Sequence, residues 1–119
     1  MKRVGDSSTS SIEIAVDHSG ADAIVRLKGR IDVDSSPDVR DRLQAVLSSD
    51  PLPHAVTVDL SDVTSMEASG IATLIEALKV SRYREIRFHL QGHGPVLQLF
   101  ESAGLLALFD ESSGGNGVS

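Results

Sequence analysis

The chain has no cysteine and no tryptophan, and only one tyrosine and three phenylalanines among its 119 residues. Without cysteine there is no disulfide framework and no thiolate metal site, so an ordinary apolar core must hold the fold and a secreted mini-scaffold is excluded. Long apolar runs are missing too. A membrane-spanning helix needs roughly 18 consecutive apolar residues, and the most apolar helical stretch, Ile71 to Leu78, is broken by Thr73 and Glu76. Met1–Ser11 carries Lys2 and Arg3 but continues into serines and Thr9 instead of an apolar run, so it does not read as a signal peptide, and a cytoplasmic location is expected. Neither a Walker A run nor a Gly-x-Ser-x-Gly elbow is present, which removes the two commonest ways of building nucleotide or hydrolase chemistry on an α/β sheet.

Other chemistries are weakly represented. His18, His54, His89 and His93 have no helical i, i+4 pair and no neighbouring cysteine, so no metal is expected. Gly92-His93-Gly94 lacks the third glycine and the downstream acid of a dinucleotide fingerprint; its simplest use is a strand-to-helix turn, and no cofactor is expected. Asp32, Asp34, Asp59 and Asp62 each fit a turn, cap or strand end. Net charge is −6, and Arg82, Arg84 and Arg87 cluster with little aromatic company, so nucleic acid is not an expected partner.

What is present is a 40% hydrophobic chain of single-domain size. Ile12–Val16 and Ala23–Lys28 are apolar or alternating segments around Asp17-His18-Ser19-Gly20, the pattern of a hairpin. After Gly29-Arg30-Ile31-Asp32, Pro37 stands near a helix start behind Asp34, Ser35 and Ser36, and Val39, Leu43, Val46 and Leu47 recur at helical spacing before Pro51. Ala55–Leu60 is a short strand leading through a polar loop into a helix over about Ala68–Ser81, whose Ile71, Leu74, Ile75 and Leu78 share the core face. Ile86, Phe88 and Leu90 mark another strand, and Pro95 opens a third helix that buries Val96, Leu97, Leu99 and Phe100 and stops near Gly104. Leu105–Phe109 is a last apolar segment, read as a strand or edge piece, and 1–11 and 111–119 are expected to be mobile tails around a domain over 12–110. The order β-β-α-β-α-β-α-β makes this an α/β fold, a mixed sheet packed with amphipathic helices.

The most informative segment is Val58–Leu78, a buried strand, a loop rich in oxygen-bearing side chains and an apolar helix. Free N–H groups and the positive end of the dipole at the helix entry favour an anionic group, so such a junction responds to added charge. Two structural roles compete with function here. Thr64-Ser65-Met66-Glu67 fits a capping box, and Ser69-Gly70 fits ordinary helix entry, with Gly70 small because other backbone packs against it.

Asp59-Leu60-Ser61, Ser69-Gly70-Ile71-Ala72 and the upstream Gly29-Arg30-Ile31-Asp32 resemble the motifs of STAS domains of the anti-sigma factor antagonist type, and the element order matches along nearly the whole chain between the tails. The resemblance implies a non-enzymatic module that binds an anti-sigma factor, a serine kinase, and so frees a sigma factor. In that family a serine in the stretch Asp-Ser-Ser-Gly is phosphorylated by this partner, and the added charge releases the antagonist. The implied partner-binding residues are Asp32, Ser61, Glu67, Ala68, Ser69, Gly70 and Thr73, with the exposed side of the second helix contributing.

The chain departs from the family at the switch itself: Glu67 takes the aspartate position and Ala68 the phosphoacceptor position, leaving Ser69 as the candidate acceptor. Three readings stand: a module always competent to bind, Ser69 as the acceptor, or a serine at 68 replaced by design. Two other functions remain open, a soluble STAS subunit of a membrane lipid-transport complex and a small nucleotide-binding domain or enzyme. Direct insertion into a membrane is not expected, and a weak homodimer is left open.

Overall fold

The computed structural model describes residues 12–92, 95–102 and 104. Strand β1 (Ile12–Ser19) turns through Gly20-Ala21 into β2 (Asp22–Ile31), with Ser19 facing Asp22 and Gly20 at φ 61. The hairpin is tighter than the Asp17–Gly20 loop expected. A two-residue connection needs positive φ, which Gly20 supplies, and this lets Asp17 and His18 stay in the ladder.

Helix α1 (Ser36–Leu47) follows, then β3 (Ala55–Met66), helix α2 (Ala68–Tyr83), β4 (Arg87–Gln91) and helix α3 (Pro95–Ser102). The sheet has the order β1-β2-β3-β4, antiparallel at the hairpin and parallel from β2 to β4. The mixed α/β class and the order from the first strand to the third helix are those expected. The Leu105–Phe109 segment, His93-Gly94 and both tails lie outside the described residues. Gly104, at φ 72, donates its N–H to the Glu101 carbonyl and closes the third helix as a left-handed stop.

Two strands run further than their sequence pattern suggests. Gly29–Ile31 is not a turn but the end of β2, and Ser61–Met66 is not a loop but the second half of β3. The two extensions pair with each other, Gly29 opposite Val63 and Ile31 opposite Met66, with register shifts after Arg26 and after Gly29. Bulges of this kind absorb an irregular apolar pattern by leaving extra residues such as Thr64 out of the register while the residues on either side stay paired. They bring Val63 and Ile31 into the core beside Leu60.

The core runs from Ala23, Val25 and Leu27 of β2 through Val56, Val58 and Leu60 of β3 to Phe88 of β4, covered by Val39, Leu43 and Leu47 of α1, Leu74 and Leu78 of α2, and Val96 and Phe100 of α3. On α2 the buried stripe is Gly70, Thr73, Leu74, Ala77, Leu78 and Ser81, whereas Ile71 and Ile75 are only half-buried at its margin. On α3, Leu97 is likewise half-buried and Leu99 is exposed. The inward side of α2 alternates small residues with Leu74 and Leu78, and the close approach falls at Gly70. Its far end is tied to α1 by Arg84, which donates to the Leu47 carbonyl at 2.8 Å. No helix among the described residues is long and apolar enough to cross a membrane.

Candidate functional site

The ends of β2 and β3 deliver two helix entries side by side. Ile31 pairs with Met66, and the Glu67 N–H donates to the Ile31 carbonyl at 2.9 Å, so Asp32 and Glu67 leave the sheet as neighbours.

The entry to α1 is fully engaged. Asp32 Oδ1 accepts the N–H groups of Asp34 and Ser35, both at 3.0 Å. Ser35 Oγ accepts the Asp32 N–H and donates to the Arg30 carbonyl, each at 2.9 Å, so the fully buried Ser35 bonds back to the strand and makes no cap bond to its own helix. The Ser35 N–H bond holds the Asp32 carboxyl below its ordinary value; partial burial opposes this, and the Asp34 N–H, the Ser35 hydroxyl and the Arg30 charge reinforce it. Asp32 is therefore an anchored turn residue. Between it and Asp34 stands Val33, 67% exposed, an apolar side chain that the sequence motifs did not single out.

The entry to α2 is bare by comparison. Glu67 is the N-cap in an extended conformation and makes no side-chain cap bond. The expected capping box does not form. Thr64 lies within β3, and its hydroxyl donates across to the Gly29 carbonyl at 3.2 Å instead of reaching toward the helix. Strand pairing takes precedence because Val63, Ser65 and Met66, on either side of Thr64, have partners on β2. Glu67 and Ala68 are both exposed. Ser69 points the other way: its hydroxyl oxygen is buried and has no hydrogen-bond partner.

Gly70 fixes how this helix sits. A Cβ at Gly70 would lie 2.6 Å from Ile31 Cγ2 and 2.8 Å from Met66 Cγ, well inside van der Waals contact, so only glycine lets α2 rest on the strand ends. Thr73, one turn on, is buried, and its hydroxyl donates to the Ser69 carbonyl at 2.9 Å.

Of the residues expected to form one surface, Asp32, Glu67, Ala68, Ser69 and Gly70 are brought together at the strand ends. Gly70 and Thr73 face inward and support that edge from beneath. Ser61 is not part of it. It sits within β3, five residues before Met66, which is about 17 Å along an extended strand. There its N–H donates to Asp59 Oδ1 at 2.9 Å, and the backbone of Gly92 packs against it, 3.0 Å separating a Cβ built on Gly92 from the Ser61 nitrogen. The family resemblance is what grouped Ser61 with the helix entry; here 61–66 is strand, and it separates the two. No group of three or more His, Cys, Asp or Glu side chains able to hold a metal ion occurs among the described residues.

Residues 14–109 match the protein family described as "Mlab, STAS domain". Among solved structures, an anti-sigma factor antagonist from Mycobacterium paratuberculosis is similar with a TM-score of 0.71 and 25% identity, covering 83% of each chain. The Bacillus cell fate determinant SpoIIAA in its phosphorylated form has a TM-score of 0.64 at 15% identity, over 78% of this chain and 85% of that one. A sulfate transporter family protein from Wolinella succinogenes has a TM-score of 0.61 at 22% identity, over 79% and 72%. No curated protein matches the chain.

Proposed function

As the chain belongs to the STAS domain family, we propose that it acts as an anti-sigma factor antagonist-like module that binds an anti-sigma factor kinase and lacks the usual phosphorylation release. The observation that carries this reading is the division of labour at the α2 entry. The outward position holds Ala68, whose methyl group cannot accept a phosphate, and the neighbouring hydroxyl of Ser69 is turned inward, out of reach of a bulky phosphodonor. Contact with the partner falls on Asp32, Val33, Glu67 and Ala68, with Gly70 and Thr73 holding the edge in place. The partner is a protein, and the site of action is the cytoplasm.

The test is to mix the chain with each anti-sigma factor kinase encoded by the same genome and ATP, measuring binding by calorimetry and phosphate by intact mass. Binding without phosphate on the native chain, together with phosphate uptake by Ala68→Ser, is the expected result. Phosphate on the native chain that Ser69→Ala abolishes would instead make Ser69 a working acceptor that the helix must open to expose. Failure to bind any such kinase would remove the reading.

A second reading makes the chain a soluble STAS subunit of a membrane lipid-transport complex. It rests on the family match over residues 14–109. Copurification with a transporter ATPase in place of a kinase distinguishes it.

A further inference from the structure

Helix α2 does not end its exposed face at the candidate site. Ala68, Ala72, Glu76, Lys79 and Tyr83 are spaced by three or four residues and are all exposed, which makes one solvent-facing stripe from the N-terminus of the helix to its last residue. Half-buried Ile71 and Ile75 flank its first half. Ala68 and Tyr83 are separated by about 22 Å of helix, while one side of an ordinary protein interface covers about 800 Å², a patch roughly 30 Å across. A patch of that size centred on the middle of the helix therefore covers both the entry and the far end.

The two ends differ in chemistry. Acidic side chains crowd the entry, where Asp32, Asp34 and Glu67 meet. At the far end Lys79, Arg82, Arg84 and Arg87 gather against only two acids of the same segment, Glu76 and Glu85, in a chain whose net charge is −6. Arg84 is used internally on the Leu47 carbonyl and Arg82 also has an interaction within the chain, and Lys79, Arg82 and Arg87 all remain exposed. Arg82 in the last turn also complements the helix dipole. That does not account for Tyr83, which projects from the same turn with 88% of its surface exposed, more than any other large hydrophobic side chain among the described residues. Tyrosine beside arginine is the composition of binding hot spots. Glu85, a non-glycine residue held at φ 61, then turns the chain sharply so that Arg87 returns on β4 near the same end.

We propose that the docking surface runs the length of α2 and that the partner brings an acidic patch onto Lys79, Arg82 and Tyr83. This rests on the binding-module reading above and adds the partner's chemistry to it. With acids at one end of the stripe and cations at the other, only one orientation of a bipolar partner is attractive, so the charges set the direction of docking as well as the rate of encounter.

Two arms test this. In the first, 15N-labelled chain is titrated with a ten-residue glutamate peptide, with phosphatidylglycerol vesicles and with a single-stranded oligonucleotide. Amide shifts confined to 79–84 and 87 with the peptide, weakening by about tenfold or more between 50 and 200 mM salt as expected of an exposed charge contact, support the proposal. No shift there, or equal or stronger binding of the vesicles or the oligonucleotide, overturns it. In the second arm, the kinase found to bind the native chain is measured against Lys79→Glu/Arg82→Glu and against Tyr83→Ala. A loss of about tenfold, mostly in the association rate for the charge reversal, is expected. Unchanged affinity overturns the proposal while leaving the binding-module reading intact. If no kinase binds the native chain, that reading fails and the peptide arm alone decides whether the cationic end is a docking site.

Discussion

The two helix entries at the strand ends start from similar material and are finished in opposite ways. Before α1, Asp32 and Ser35 together make four bonds that fold the turn back on β2, so Asp32 Oδ1 and Ser35 Oγ both have a structural task. Before α2, Glu67 caps nothing with its side chain, Ala68 offers only a methyl group, and the Ser69 hydroxyl is buried without a partner. The first entry is closed by side-chain hydrogen bonds; the second is held by one backbone bond, Glu67 N–H to the Ile31 carbonyl, and by the packing of Gly70 against Ile31 and Met66. An entry fixed from beneath keeps its outer surface available to a partner.

The sharpest way to break this contrast is Gly70→Val. The new side chain has no space between Ile31 and Met66, and the expected cost is about 3 kcal/mol in a urea melt, with binding lost as α2 lifts from the strands. A melt unchanged within error would mean that packing does not hold this entry.

Next in size is Ser35→Ala. Removing a fully buried hydroxyl strands the Asp32 N–H and costs about 2 kcal/mol, without touching the α2 entry. The same cluster shows in acid. Because the Asp32 carboxyl is held below its ordinary value of 3.8, its contribution is complete above that value and disappears as pH falls through the lowered one. Asp32→Asn should flatten that part of the acid limb of the stability curve, and an unaltered limb would argue against the bonds to Asp34 and Ser35.

The smallest effect belongs to Ser69→Ala. Exchanging an unpartnered buried hydroxyl for a methyl group leaves stability equal or raises it by about 1 kcal/mol. A clear loss would show that the Ser69 hydroxyl has a task at the second entry comparable to that of Ser35 at the first.

Much of this was legible in the sequence. The hairpin glycine, the apolar spacing of α1, Pro37 and Pro95 near helix starts, and the motifs around Leu60 and Gly70 led to the element order and to the family that was found. Less legible was the second half of β3. Asp62, Thr64 and Ser65 look like loop residues because two bulges disturb the alternation that normally marks a strand. That irregularity also suggested a capping box at Thr64. On α2, Ile71 and Ile75 outrank Gly70, Ala77 and Ser81 in hydrophobicity, yet the buried stripe runs through these smaller residues with Leu74 and Leu78, and Ile71 and Ile75 fall at its margin. Val33 carried a signal, an apolar residue between two aspartates in a turn, but it belongs to no motif.

The sequence by itself determined the mixed α/β class, the family and the lack of a hydroxyl at Ala68. Each of these rests on local pattern or on the chemistry of a single side chain. Only the tertiary structure decided which side of α2 faces the core, that Ser69 turns inward while Ala68 turns outward, and that Asp32 and Glu67 emerge together. Those outcomes depend on the pairing of β2 with β3 and on the 2.6 Å that separates a Cβ at Gly70 from Ile31, relations between residues far apart in the chain that no local pattern encodes.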